Sequence, residues 1–206
     1  MAVSAVATHT YLSQLERSLQ LGVATEHTYR PDLRDYLEAL APGVIASNEP
    51  KRAAYGAPDF VVARQTPHGP LTIGYLEAKD IGIPLDAVEQ SEQLRRYRRS
   101  LPNLILTDYL EFRWYVDGER RAIARLATPD ARGRLRADPD GPARVEELLI
   151  TFLGQSLQPI RDPRALAERM ARLTHMIRDI AVASLAPTPS PSPAAAGEGS
   201  DALPQA

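Results

Sequence analysis

Two short apolar runs joined by a tight turn, and a third that follows a helical stretch, constrain this chain most. Phe60 to Ala63 and Leu71 to Ala78 are too short for core helices and carry Val, Ile and Tyr. His68-Gly69-Pro70 supplies the turn between them. Pro84 to Ser100 then reads as one helix, and Asn103 to Thr107 as a buried-type strand. Phe112, Trp114 and Val116 alternate with Arg113 and Tyr115. Asp117-Gly118 signals a hairpin, and Arg121 to Leu126 returns. Upstream, residues from about 4 to 20 have helical spacing (Val6, Tyr11, Leu12, Leu15, Leu19) and end at Gly22. A second helix follows Pro31, carries Leu33, Tyr36, Leu37 and Leu40, and stops at Pro42-Gly43 before the strand-like Val44-Ile45-Ala46. Residues 128–142 read as a loop. Helices follow over Ala143 to Leu157 and Pro163 to Leu185, the latter with Asp162 as N-cap and Pro163 at its first position. This order predicts an α/β fold, a mixed β-sheet with helices on its faces, followed by a C-terminal helical extension.

The expected organisation is a core over 1–142, the helical extension over 143–186, and a tail over 187–206. The tail's Pro-Thr-Pro-Ser-Pro-Ser-Pro composition cannot bury a core, so disorder is expected there. No apolar run approaches the length of a membrane span, and the N-terminus lacks the pattern of a secretory signal. Absence of cysteine excludes disulfides and thiolate metal sites and fits a cytoplasmic setting. The four histidines, His9, His27, His68 and His175, have no ligand spacing, which argues against a His-based zinc site. A net charge of −2 does not suit a dedicated nucleic-acid binder, but it is compatible with a nuclease whose acids are offset by bound metal.

Charge usage singles out one segment. Of 24 basic residues only Lys51 and Lys79 are lysine. Lys79 closes Leu76-Glu77-Ala78-Lys79, where a period of two puts Glu77 and Lys79 on one face and Ala78 on the other. Asp59 opens the preceding strand. The decoy Glu49-Pro50-Lys51 has proline inside the triplet, which suits a central strand badly. An Asp, then Glu-x-Lys one hairpin later, is the equipment of metal-dependent phosphodiester cleavage: two carboxylates for a hard cation, and an ammonium for the developing charge. The bland alternative is a strand end with a solvated ion pair. Downstream, Arg95, Arg96, Arg98 and Arg99 form a basic knot, suited either to phosphate contact or to a solvated helix end. Gln93 and Tyr97 are spaced to share a helix face, with Gln90 extending the polar stripe.

Gly56-Ala57-Pro58-Asp59-Phe60, Leu76-Glu77-Ala78-Lys79 and Gln93-Leu94-Arg95-Arg96-Tyr97 together resemble the PD-(D/E)xK nuclease superfamily, in its RecB-like branch. Over roughly residues 10–185 the chain looks like the N-terminal nuclease domain of type ISP restriction–modification enzymes. The resemblance implies a restriction-endonuclease-like fold and a Mg²⁺-dependent DNA endonuclease, with Mn²⁺ able to substitute. It implies that Asp59, Glu77 and the Ala78 carbonyl hold the metal, with Glu26 as an additional acid. Lys79 would position the attacking water, Gln93 and Tyr97 would orient Lys79 or the phosphate, and Arg95, Arg96 and Arg99 would contact DNA. The chain departs from the type ISP pattern in having no Gly-x-x-x-x-Gly-Lys-Ser/Thr loop and no Asn-Pro-Pro-Tyr motif. It therefore reads as a detached or truncated nuclease module, with helicase and methyltransferase functions on a separate chain. Two rival readings are a non-catalytic interaction module and a nuclease acting on single strands or RNA.

Overall fold

The computed structural model describes residues 2–22, 26–48 and 58–155, and residues 167, 170, 171, 173–178, 181 and 182; the side chains of 2–4 and of Glu26 fall outside this set. The expected tail over 187–206, the Asp162/Pro163 cap and the Lys51 decoy also lie outside the described residues. The elements are helices α1 (Ala2–Gln20) and α2 (Glu26–Leu40), strands β1 (Val44–Asn48), β2 (Phe60–Thr66) and β3 (Gly69–Ala78), and helices α3 (Leu85–Glu89) and α4 (Glu92–Ser100). Strands β4 (Asn103–Thr107), β5 (Glu111–Val116), β6 (Glu119–Arg125), β7 (Ala127–Pro129) and β8 (Leu135–Ala137) follow, and helix α5 (Gly141–Gly154) comes last.

Strands β1 to β6 form one sheet in chain order. Every pairing is antiparallel except β3 with β4, whose parallel alignment requires the crossover made by α3 and α4. This is the expected mixed sheet flanked by helices.

Strand alternation sorts the core onto the two faces. Phe60, Val62, Ile73, Leu76, Ala78, Ile105 and Phe112 pack with Tyr11 and Leu15 of α1, Leu33 and Leu37 of α2, and Val145, Leu149 and Phe152 of α5. Leu104, Leu106, Tyr115 and the half-buried Tyr75 pack on the other face with Leu85, Leu94, Tyr97 and Leu101 from the crossover. Strand β4 is buried along its whole length because both of its faces are covered. The first helix of the 143–186 segment is thus part of the main core. Met176, further along, packs against this second cluster. Among the described residues no helix is long and apolar enough to cross a membrane.

Three sequence expectations are corrected. The helix predicted after Pro31 begins at Glu26 and runs through the proline. Pro31 is the sixth residue of this helix, beyond the four N-terminal N–H groups that lack an in-helix acceptor, so the helix forgoes one backbone hydrogen bond there. The single helix over 84–100 is two, because Ser91 is extended (φ −63°, ψ 151°) and caps α4, its hydroxyl accepting the Leu94 N–H at 3.2 Å. The loop over 128–142 contains the β7–β8 hairpin, whose turn is held by Asp130: its carboxylate accepts the backbone N–H groups of Arg132 (2.8 Å) and Arg134 (3.0 Å).

A buried ion network fixes the crossover to the sheet. Glu89, at the end of α3, accepts from Arg113 of β5 at 2.7 Å and from Arg120 of β6 at 3.2 Å. Arg113 also reaches Glu111 at 2.7 Å, and Glu111 pairs with Arg125. Buried charge is tolerated here because each group is paired and hydrogen-bonded. Arg98 of α4 also reaches Glu89, at 3.5 Å, so the network ties both crossover helices to β5 and β6.

Candidate active site

Strand register brings the predicted residues together. Phe60 is opposite Leu76 in the β2–β3 pair, so Asp59 lies beside Glu77 at the point where β3 ends. Asp59 is turned inward, and its Oδ2 accepts the Ala78 backbone N–H at 2.9 Å. Just past the end of β3, the Lys79 N–H donates to the Thr107 carbonyl at 2.9 Å. Glu77 and Lys79 project on the same side, as their period of two requires, and Lys79 Nζ sits 2.6 Å from Glu77 Oε1. Glu77 is buried while the Lys79 side chain is 26% exposed, so the pair bridges interior and surface. The cluster occupies the C-terminal end of a central strand, next to the only parallel step in the sheet.

Tyr75, two residues before Glu77, packs against the apolar cluster that includes Tyr97 of α4. The Tyr97 hydroxyl is 3.1 Å from Gln93 Nε2, one turn earlier on the same helix face. Burial pushes the Tyr97 phenol up to about 12, partly offset by the Gln93 hydrogen bond; Glu77 and Asp59 push it further up and Arg96 draws it down. Tyr97 is therefore a neutral hydroxyl at physiological pH, and it senses both carboxylates.

The stripe expected to include Gln90 does not extend that far. Gln90 lies at the break between α3 and α4, exposed, and accepts from Arg95 at 2.9 Å. The basic knot divides. Arg95 and Arg99 are exposed; Arg96 is half-buried, its guanidinium 5.7 Å from the centre of the Tyr97 ring. Arg98 is structural: it donates to the Gly118 carbonyl at 2.8 and 3.0 Å and lies over the Tyr115 ring. Glu26 opens α2, and its side chain lies outside the described residues.

Sequence reasoning missed Arg30. From α2 its guanidinium reaches Asp59 Oδ1 at 2.5 Å and Asn48 Oδ1 at 3.3 Å, and its side chain is 5% exposed. One arginine among twenty-two carries no local signal; the fold alone brings it to Asp59.

Among the described residues no group of three or more His, Cys, Asp or Glu side chains is arranged to hold an ion. The candidate donors at the end of β3 are the Asp59 and Glu77 carboxylates and the Ala78 carbonyl. All three donate through oxygen, which fits Mg²⁺, an ion that commonly takes one or two carboxylates and completes its shell with water and substrate phosphate. It does not fit zinc, which favours nitrogen and sulfur.

No protein-family model matches the chain, and no curated protein does. Solved structures do match. A chain in the cryo-EM structure of a DrdV–DNA complex is 18% identical, with a TM-score of 0.52; the alignment covers 75% of this chain and 99% of that one. At this identity the likeness is one of fold: a mixed sheet flanked by helices, compatible with a restriction-endonuclease-like architecture.

Proposed function

We propose that this chain is a Mg²⁺-dependent DNA endonuclease module of a restriction system, of the PD-(D/E)xK type, hydrolysing phosphodiester bonds. The observation that carries the reading is the docking of Asp59 on the Ala78 N–H beside the Glu77–Lys79 pair, at the end of β3. Its fold is shared with a chain solved in complex with DNA, which supports DNA as the partner.

Asp59, Glu77 and the Ala78 carbonyl would hold the metal. When bound, Mg²⁺ supplies concentrated positive charge to polarise the phosphate and lower the cost of deprotonating water. Lys79, anchored by Glu77 and open to solvent on one side, orients the attacking water and stabilises charge developing on the phosphate oxygens. The water oxygen bonds to phosphorus while the bond to O3′ breaks in line. Gln93 and Tyr97 would orient Lys79 or the scissile phosphate. Arg95, Arg96 and Arg99 are available to the DNA backbone, and Glu26 is the candidate for an additional acid.

The test is conversion of supercoiled plasmid to nicked or linear form by the purified chain with Mg²⁺ or Mn²⁺, against EDTA and against Asp59→Asn. Metal-dependent cleavage lost in Asp59→Asn is expected. Cleavage that survives both EDTA and the substitution contradicts the reading. Metal-dependent cleavage restricted to single strands or RNA would move the substrate assignment.

A further inference from the structure

The two carboxylates assigned to the metal do not face an empty centre. Asp59 Oδ1 is in contact with Arg30 at 2.5 Å and Glu77 Oε1 with Lys79 at 2.6 Å. Each carboxylate is thus paired with a cation. The two cations differ in kind. Lys79 is partly exposed on a flexible stem; Arg30 is 5% exposed, tethered a second time to Asn48 Oδ1, and carried on the folded helix α2. A buried guanidinium held on a carboxylate is a strong local charge, because little water screens it. Asp59 Oδ2 accepts the Ala78 N–H and Oδ1 is held by Arg30, so a cation binding Asp59 at either oxygen lies close to the guanidinium charge.

We propose that Arg30 is a positioning residue that competes with the metal for Asp59, so that the DNA-free site takes up divalent cations weakly. The inference rests on the metal-site reading above and adds a role for a residue outside the superfamily signature. A cation entering beside Asp59 either displaces the guanidinium from Oδ1 or approaches it as a like charge. Both penalise metal binding to the free chain. Removing the charge at position 30 therefore tightens metal binding even though it removes a contact that orients Asp59. A purely structural role would act in the opposite direction, because a loosened carboxylate binds metal less well.

The experiment is Mn²⁺ titration of the full chain without DNA, followed by the electron paramagnetic resonance signal of free Mn²⁺. Wild type is compared with Arg30→Gln, Arg30→Lys, Asn48→Ala and Glu77→Gln, with circular dichroism to establish folding. Arg30→Gln is expected to bind Mn²⁺ at least ~10-fold more tightly, since a unit charge a few ångströms away acts with several times RT even at a protein's effective dielectric. Arg30→Lys keeps the charge and is expected to stay close to wild type. Asn48→Ala frees one tether and is expected to tighten binding by a smaller factor; should Arg30→Gln not fold, this variant decides alone. Unchanged or weaker Mn²⁺ binding in folded Arg30→Gln or Asn48→Ala overturns the competition while leaving the metal site standing. Mn²⁺ binding that Glu77→Gln leaves untouched places the ion elsewhere and overturns both.

Discussion

Replacing Lys79 by arginine is expected to lower DNA cleavage by at least ~10²-fold, the lower end of what a positioned proton-transfer group contributes, with the fold intact. The charge is conserved, so the loss isolates geometry. Lys79 Nζ lies 2.6 Å from Glu77 Oε1 at the end of β3, where a buried carboxylate meets a side chain that is 26% exposed. An ammonium is a compact point charge, whereas a guanidinium is a wide planar fork. The fork would push away from Glu77 into the space meant for water and phosphate. Lysine is rare here, two residues against twenty-two arginines, and one of the two stands at this position. Single-turnover cleavage by wild type and variant makes the comparison. Near-normal cleavage by Lys79→Arg would mean the residue supplies generic positive charge, and its role in orienting water would be withdrawn.

Asn103→Ala is expected to cost about 3 kcal/mol of stability, from three hydrogen bonds of which each orphaned buried partner costs about 1–3 kcal/mol. Asn103 opens β4 and is fully buried. Its Nδ2 donates to the Ile73 carbonyl at 2.7 Å and to the Phe152 carbonyl at 3.2 Å, and its Oδ1 accepts from Trp114 Nε1 at 2.7 Å. One side chain thus ties β3, β5 and the end of α5 together. Gly74 shows how closely α5 sits there: a Cβ at this residue would come within 2.6 Å of the Phe152 ring. Urea unfolding should show a lower midpoint with an unchanged slope. A loss below about 1 kcal/mol would mean water or a neighbour replaces these bonds.

What the sequence made legible was local. Asn103 to Thr107 reads as a buried strand from its own apolar run, and the structure gives it those bounds. Asp117-Gly118 reads as a hairpin turn, and both residues have positive φ, 49° and 85°. Glu77 and Lys79 share a face because strand geometry leaves no alternative, and Gln93 meets Tyr97 because residues four apart on a helix are neighbours. What was not legible depends on distant partners. Ser91 breaks the helix over 84–100 by capping α4, but one serine in a polar helical stretch does not stand out. Strands β7 and β8 are three residues each, too short for periodicity. Arg30 and Asp59 are 29 residues apart, and only the packing of α2 over the sheet joins them. Asn103 looks like a polar strand end until three elements converge on it.

The most direct test of the central claim is the position of a manganese ion. Crystals of the full chain soaked in Mn²⁺ and measured at the manganese absorption edge should show one anomalous peak at the end of β3. One oxygen each from Asp59 and Glu77 should lie about 2.1 Å from it, a distance typical of a small hard divalent ion. An ordered manganese peak elsewhere on the chain, with none beside Asp59 and Glu77 even at saturating Mn²⁺, would contradict the assignment of this cluster as a metal-dependent nuclease centre.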